Sequence, residues 1–326
     1  MDNFHIFGNE YVKDKLSTMI SKDRIIPSIL IYGEKGLGKS TMAKYLAAAL
    51  NCEAHNGTPC GVCRSCQMVL HSNHPDIIYV QPTSKSGLYR VKDDIRPITS
   101  DAYIPPNESG KKVYIIEDAE KLNEECQNAL LKIFEEPPSD TIFILTAENK
   151  QSVLETVLSR VFSFEMRPVS EIDSLSFLKE KGFSEQQAAE ATSAFPSNLG
   201  RQLEFLSGGD VFDEVVISKS IIDAVCQKNE YELLKTFANL SSRAQAENVF
   251  DILIQILGSA LELSAGASAS KCSYNEGAKG LANKLTSSRI VKIYESVNIA
   301  KEKVHGYANL AVATSALAAQ IAEIAF

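Results

Sequence analysis

The sequence has no surplus of basic residues: 33 Lys and Arg stand against 41 Asp and Glu, a net charge of −8. A free-standing DNA binder needs a basic surface to displace counterions from phosphates, so that class is disfavoured. Local basic patches, or a place in a larger assembly, stay compatible. No recognition-helix signature appears. No uninterrupted apolar run reaches membrane length. The most apolar stretch, ANLAVATSALAAQIAEIAF, is broken by Gln320 and Glu323. Within it Leu310, Leu317, Ile321 and Ile324 share one helical face, as in a packed soluble helix. No apolar leader and no repeat period are present. These absences predict a cytoplasmic protein without membrane association. Its seven cysteines are then not expected to form disulfides. Cys126, Cys226 and Cys272 are isolated and read as small buried apolar residues.

A length of 326 residues with 44% hydrophobic content predicts two or three domains. Apolar runs at 28–33, 76–82, 111–119, 141–147 and 161–168 read as strands. Between them, STMAKYLAAALN, VKDDIRPITSDAYI (disturbed by Pro97) and NEECQNALLKIFEEPP (stopped by Pro137 and Pro138) read as helices. Strands that are apolar throughout and alternate with helices predict an α/β domain over residues 1–168, its parallel sheet covered on both faces. After Pro168 no convincing strand follows; VVIS (215–218) fits strand or helix. Residues 169–208 read as three short helices with breaks at Gly182 and 196–200. SGGD (207–210) reads as a hinge, the rest as all-helical, and 262–280 as a mobile interhelix loop.

Gly33, Gly38, Lys39 and Ser40 fit G-x-x-x-x-G-K-[ST], with a strand before and a helix after. Glycines, Gly36 among them, let backbone amides turn toward phosphate oxygens. Lys39 supplies charge to the β/γ-phosphates, and the Ser40 hydroxyl is the candidate ligand for magnesium, with Thr41 beside it. The helix that follows points its positive end at the same anion. This predicts bound ATP or ADP with magnesium. The other half of such a site is Glu117–Asp118, at the end of the strand in VYIIEDAEKL. The usual order is Asp then Glu, for metal and attacking water. The reversed order shifts each carboxylate by roughly one bond length, so binding is expected and turnover is doubtful. Glu117 is the candidate metal-side group and Asp118 the candidate water-positioning carboxylate.

Cys52, Cys60, Cys63 and Cys66 are spaced C-x7-C-x2-C-x2-C, with Gly57, Pro59 and Gly61 supplying turns. Four thiolates make a closed, structural zinc site. An iron–sulfur cluster or a redox dithiol are the alternatives. His55 and His71 read as surface residues, since four sulfurs fill the shell.

Together these features resemble the clamp-loader ATPases of the bacterial replicative DNA polymerase, in the AAA+ group. The carriers are SILIYGEKGLGKST, the four cysteines, HPDIIYV (74–80), VYIIEDAEKLNEECQNALLKIFEEPP and TIFILTAENKQSVLETVLSRV. The resemblance implies a P-loop AAA+ domain (1–168) with a zinc knot at 52–66. A helical lid (169–208) and an oligomerising all-α collar (209–326) would follow. Implied partners are the gamma/tau motor subunits and the delta subunit and, through the assembly, the sliding clamp and primed DNA.

Two subunit types compete within this family. A delta-prime-type stator is favoured by the Glu–Asp order, by the lack of a Tyr-Arg-Pro lead-in and by a length that leaves no long tail. A gamma/tau-type motor is the alternative, favoured by the intact phosphate loop. The family's Ser-Arg-Cys motif reads Ser159, Arg160, Val161 here, which implies that Arg160 is an arginine finger reaching a neighbour's ATP. Arg201, in FPSNLGRQLEFL, resembles the second sensor. Thr146 and Asn149 lie near the position of the family's first sensor. Lys85, Lys92, Lys111 and Lys112 are candidates for contacts with DNA phosphates. A P-loop kinase is a third reading, disfavoured by the zinc knot and the long helical remainder.

Overall fold

The structure, a computed structural model, describes residues 4–84, 87–108, 110–267, 272–306 and 308–326. The first helix, α1 (Glu10–Ser21), buries Val12 and Leu16, one turn apart on a single face. It leads to β1 (Ser28–Tyr32) and then α2 (Lys39–Leu50). The run of small residues Ala47, Ala48 and Ala49 lies fully inside and lets α2 pack closely. A short α3 (Arg64–Leu70) and β2 (Ile77–Val80) follow. The predicted helix around Pro97 is in two pieces. A π-helical turn spans Val91–Ile95, and Pro97 sits in the first turn of α4 (Arg96–Asp101), where a missing N–H is harmless.

Next come β3 (Lys112–Ile116), α5 (Glu124–Glu135), β4 (Thr141–Ala147), α6 (Glu155–Leu158) and β5 (Phe162–Glu165). The Asn123 side chain caps α5 by accepting from the Cys126 N–H, and two prolines follow its end.

The five strands are all parallel, in the order β2-β3-β4-β1-β5. Period-2 alternation sends Leu30, Tyr114, Ile116, Phe143 and Leu145 to one face, against Leu130, Ile133 and Phe134 of α5. Ile29, Ile31, Val113, Ile115 and Ile144 go to the other, against Leu16 of α1 and Met42 and Leu46 of α2. Both faces are therefore covered over the inner strands β1, β3 and β4, which is why these are mostly apolar, whereas the edge strand β5 leaves Phe162 and Glu165 exposed. Every strand ends at the same edge of a parallel sheet. That edge carries the phosphate loop after β1, the acidic pair after β3 and the 148–151 loop after β4. The opposite edge carries the residues that precede each strand.

The chain forms two compact units, one through Ser170 and the other Glu171–Phe326. The second is entirely helical among the described residues. It comprises α7 (Glu171–Glu180), α8 (Glu185–Ala194), α9 (Leu199–Leu206), α10 (Asp210–Gln227), α11 (Glu230–Ala238), α12 (Arg243–Ser264), α13 (Asn275–Lys284), α14 (Ser287–His305) and α15 (Leu310–Ala325). VVIS belongs to α10, where Val215 and Ser218 are inward. The SGGD stretch is a tight joint: Gly208 takes φ 71° and Gly209 caps α10. The predicted 262–280 loop is shorter than expected, since α12 runs to Ser264 and α13 starts at Asn275. Residues 268–271 of it lie outside the described residues. α12 is the central helix and packs against α10, α13 and α14. Leu317 and Ile321 of α15 are buried, with Leu310 and Ile324 half-buried beside them. Cys126 and Cys272 are buried as expected, and Cys226 is half-buried. No helix among the described residues is long and apolar enough to cross a membrane.

Candidate functional site

The phosphate loop turns at glycines for steric reasons. At Gly33, which follows β1, an added Cβ would lie 2.6 Å from the Met166 carbonyl oxygen. Gly38, the residue just before α2, takes φ 86°, a backbone that side chains rarely adopt. Lys39, the first residue of α2, is 8% exposed. Its Nζ donates to the carbonyls of Gly33 at 2.7 Å and Glu34 at 3.0 Å. Burial lowers the Lys39 pKa, opposed by the negative charges of Glu148, Glu120, Asp118 and Glu34. Ser40 and Thr41 are exposed in the first turn of α2. A cleft of about 440 Å³ lies alongside, lined by Gly33, Glu34 and Leu37 and by Glu148 and Asn149.

The acidic pair meets this loop at the same sheet edge. Asp118 adopts a left-handed backbone, φ 54°. Its N–H donates to Thr146 Oγ1 at 3.1 Å, and its Oδ2 pairs with Lys121 Nζ at 2.7 Å. The Tyr89 hydroxyl lies 2.7 Å from the carbonyl oxygen of Glu117 and 2.9 Å from that of Val80. Thr146 is 1% exposed inside β4. Asn149 is exposed, and its Oδ1 accepts the Ser152 N–H at 2.9 Å. Of the two, Thr146 is the one bonded to the acidic strand end.

Glu120 is a member of this cluster that the sequence reading missed. Its Oε2 accepts the Glu148 N–H at 3.3 Å. Burial raises its pKa, helped by the charges of Asp118 and Glu148. The visible signal was a third carboxylate directly after the pair, in EDAE.

The four cysteines converge, with their sulfurs all within 4.8 Å of one another. A zinc ion with bonds of about 2.3 Å needs tetrahedral sulfur separations of about 3.8 Å, so the cluster fits one ion after small adjustment. Backbone N–H groups point at the sulfurs: Cys60 at Cys52 (3.3 Å), Cys63 at Cys60 (3.3 Å) and Cys66 at Cys63 (3.4 Å). Donors from Val62 and Cys63 pull the Cys60 thiol down to about 6. Burial pushes Cys66 and Cys52 up. A divalent cation would offset that burial cost. His55 and His71 are exposed. The knot is anchored from outside: Arg64 pairs with Glu108 at 3.2 Å, and the buried His74 holds the Ser65 hydroxyl at 3.1 Å. Gly57 admits no Cβ, which would lie 2.5 Å from the Ser17 carbonyl of α1.

Arg160 lies elsewhere, just before β5 and so at the opposite sheet edge from the phosphate loop. Its side chain is 33% exposed and forms an ion pair with Glu135 at the end of α5. Arg201, in α9, is 13% exposed. Its Nη2 lies 3.4 Å from Asn248 Oδ1 and 3.8 Å from Asp251 Oδ2 of α12, and its guanidinium stacks over Phe195. Lys112 corrects an expectation. It is 4% exposed and pairs with Asp101 at 2.8 Å, so it is not a surface contact for DNA. Lys111 pairs with Asp140 at 2.9 Å, Lys92 is exposed, and Lys85 lies outside the described residues.

Residues 8–170, half of the chain, match the family profile described as DNA polymerase III, delta subunit. A DNA polymerase III subunit delta' of Bacillus subtilis is 36% identical over 154 residues, 47% of this chain and 46% of that protein. A subunit gamma of Buchnera aphidicola subsp. Schizaphis graminum is 34% identical over 175 residues, 53% of this chain and 47% of that one. The chain thus spans about half the length of these curated relatives. A solved gamma subunit-related protein of Thermotoga maritima aligns over 96% of this chain and 99% of its own, at 18% identity and a TM-score of 0.44. The matched segment contains the phosphate loop, the acidic strand end, the cysteine cluster and Arg160, and the chain belongs to the DNA polymerase III, delta subunit family of bacterial clamp-loader AAA+ proteins.

Proposed function

We propose that this chain acts as a delta-prime-type stator in a clamp-loader ring. It would hold ATP or ADP with magnesium at Lys39 and Ser40, and zinc at Cys52, Cys60, Cys63 and Cys66. It would present Arg160 to a gamma/tau motor neighbour. The helical stretches 169–208 and 209–326 serve as lid and collar in this reading. The delta subunit, the sliding clamp and primed DNA are met through the assembly.

One observation carries the reading. Arg160 and the phosphate loop sit at opposite edges of one parallel sheet, separated by the length of β5, about 13 Å at strand rise. Arg160 is out of range of this chain's own nucleotide, so a phosphate that it stabilises belongs to another molecule. The Asp118–Lys121 ion pair supports weak turnover here, because a carboxylate already paired is a poorer guide for water.

The test is ATP hydrolysis by the ring reconstituted with its motor and delta partners. Arg160→Ala is expected to lower the rate by about tenfold or more, while Lys39→Ala in this chain leaves most of it. A motor role has support too, since the phosphate loop is intact and the gamma relative is nearly as similar as the delta' one. It predicts the reverse ranking of the two variants.

A further inference from the structure

Arg160 is tied down by its own chain. Nε donates to Glu135 Oε1 at 2.7 Å, and Nη2 meets the same oxygen. Nη1 donates to the Thr156 carbonyl at 2.7 Å and to the Ser159 hydroxyl at 2.9 Å. Nε, one Nη2 proton and both Nη1 protons are thereby engaged. A single Nη2 proton is left without an acceptor among the described residues. A guanidinium grips phosphate best through two parallel N–H groups. Here the Nε–Nη2 edge that would do so faces Glu135, and the carboxylate cancels much of the charge that the phosphate would feel.

We propose that Glu135 is an intramolecular latch on Arg160, exchanged for a neighbour's phosphate when the ring engages nucleotide. The inference rests on the reading of Arg160 as the group offered in trans. A permanent support would orient Arg160 and stay; the geometry favours exchange. Both Arg160 contacts go to Oε1 rather than forking over two oxygens, so the pair lacks the strong bidentate form. Both side chains also reach solvent, Arg160 at 33% and Glu135 at 48%, which keeps the cost of separation small. The contacts from Nη1 to α6 remain as the pivot. Glu135 thus acts through Arg160, as a restraining residue.

The experiment uses the reconstituted ring and compares wild type, E135Q, R160A and the double variant across ATP concentration without DNA. Removing the carboxylate charge is expected to raise the rate at sub-saturating ATP roughly two- to fivefold, the range for releasing a partly exposed ion pair. The gain should vanish in the double variant, which should match R160A. An E135Q rate at or below wild type overturns the latch, because Glu135 would then be a support. Should R160A leave the rate unchanged, the trans role of Arg160 fails on its own account. The latch is then judged by ¹⁵N relaxation of the Arg160 Nε–H in the full chain. Rigid in wild type and mobile in E135Q is the expected result; a mobile wild-type guanidinium overturns the latch.

Discussion

The backbone N–H of Asp118 donates to the Thr146 hydroxyl across 3.1 Å, tying the end of β3 to the interior of β4. Thr146 is the buried partner, and the bond fixes where the left-handed Asp118 points. Thr146→Val keeps the shape and deletes the acceptor. It is expected to cost about 1–2 kcal/mol in urea unfolding, the penalty for stranding a partly buried N–H. The same variant should weaken nucleotide binding in titration calorimetry, since Asp118 loses its anchor.

The four sulfurs predict one zinc per chain, measurable by atomic absorption on protein purified without chelator. Stripping the metal, or changing Cys66 to Ser, should lower the thermal midpoint of the first unit by about 4–8 °C. That is the shift that ~2 kcal/mol produces in a unit of this size. The unit is expected to stay folded at room temperature, because the sheet core of Leu30, Tyr114 and Phe143 does not include the knot.

Acid stability should depend on Asp101. Lys112 and Tyr114 both donate to its carboxylate, the first at 2.8 Å and the second at 2.5 Å, and hold its pKa below the ordinary value. A carboxyl whose folded pKa is depressed stabilises fully above its unfolded pKa of about 4. That contribution is lost as pH falls through the folded value. Asp101→Asn is therefore expected to flatten the acid limb of a stability–pH curve below about pH 4. At neutral pH it should cost about 1–2 kcal/mol, reduced by the half-exposed position of Asp101.

Arg201→Met separates two roles for that residue. Its guanidinium joins α9 to Asn248 and Asp251 of α12, so its loss should destabilise the second unit by about 2 kcal/mol in chemical denaturation. Unchanged stability combined with weaker nucleotide affinity would speak for the second-sensor role instead.

Much of this was readable in advance because it is local. G-x-x-x-x-G-K-S, the cysteine spacing, the apolar strands and the prolines after α5 each declare themselves within a few residues. Contacts between distant segments leave no such local mark. The sequence leaves Thr146 and Asn149 equivalent; the pairing of β4 with β3 brings the Thr146 hydroxyl to Asp118. Lys112 looked like a surface lysine because nothing nearby in sequence reveals Asp101 folding over it. Glu120 carries no motif of its own, and only the segment after β4 brings the Glu148 N–H to its carboxylate.

By itself, then, the sequence determined the order and type of the elements, the phosphate-loop motif and the spacing of the four clustered cysteines, since these follow from backbone sterics, side-chain period and residue spacing. Only the tertiary structure decided which strand lies beside which, through the order β2-β3-β4-β1-β5. That order, with all strands parallel, brings the phosphate loop and the acidic pair to one edge and sends Arg160 and Glu135 to the other. The physical reason is that strand neighbours are selected by how two layers of helices cover both faces of the sheet. That selection sums many contacts between residues far apart in the chain, and no short motif records it.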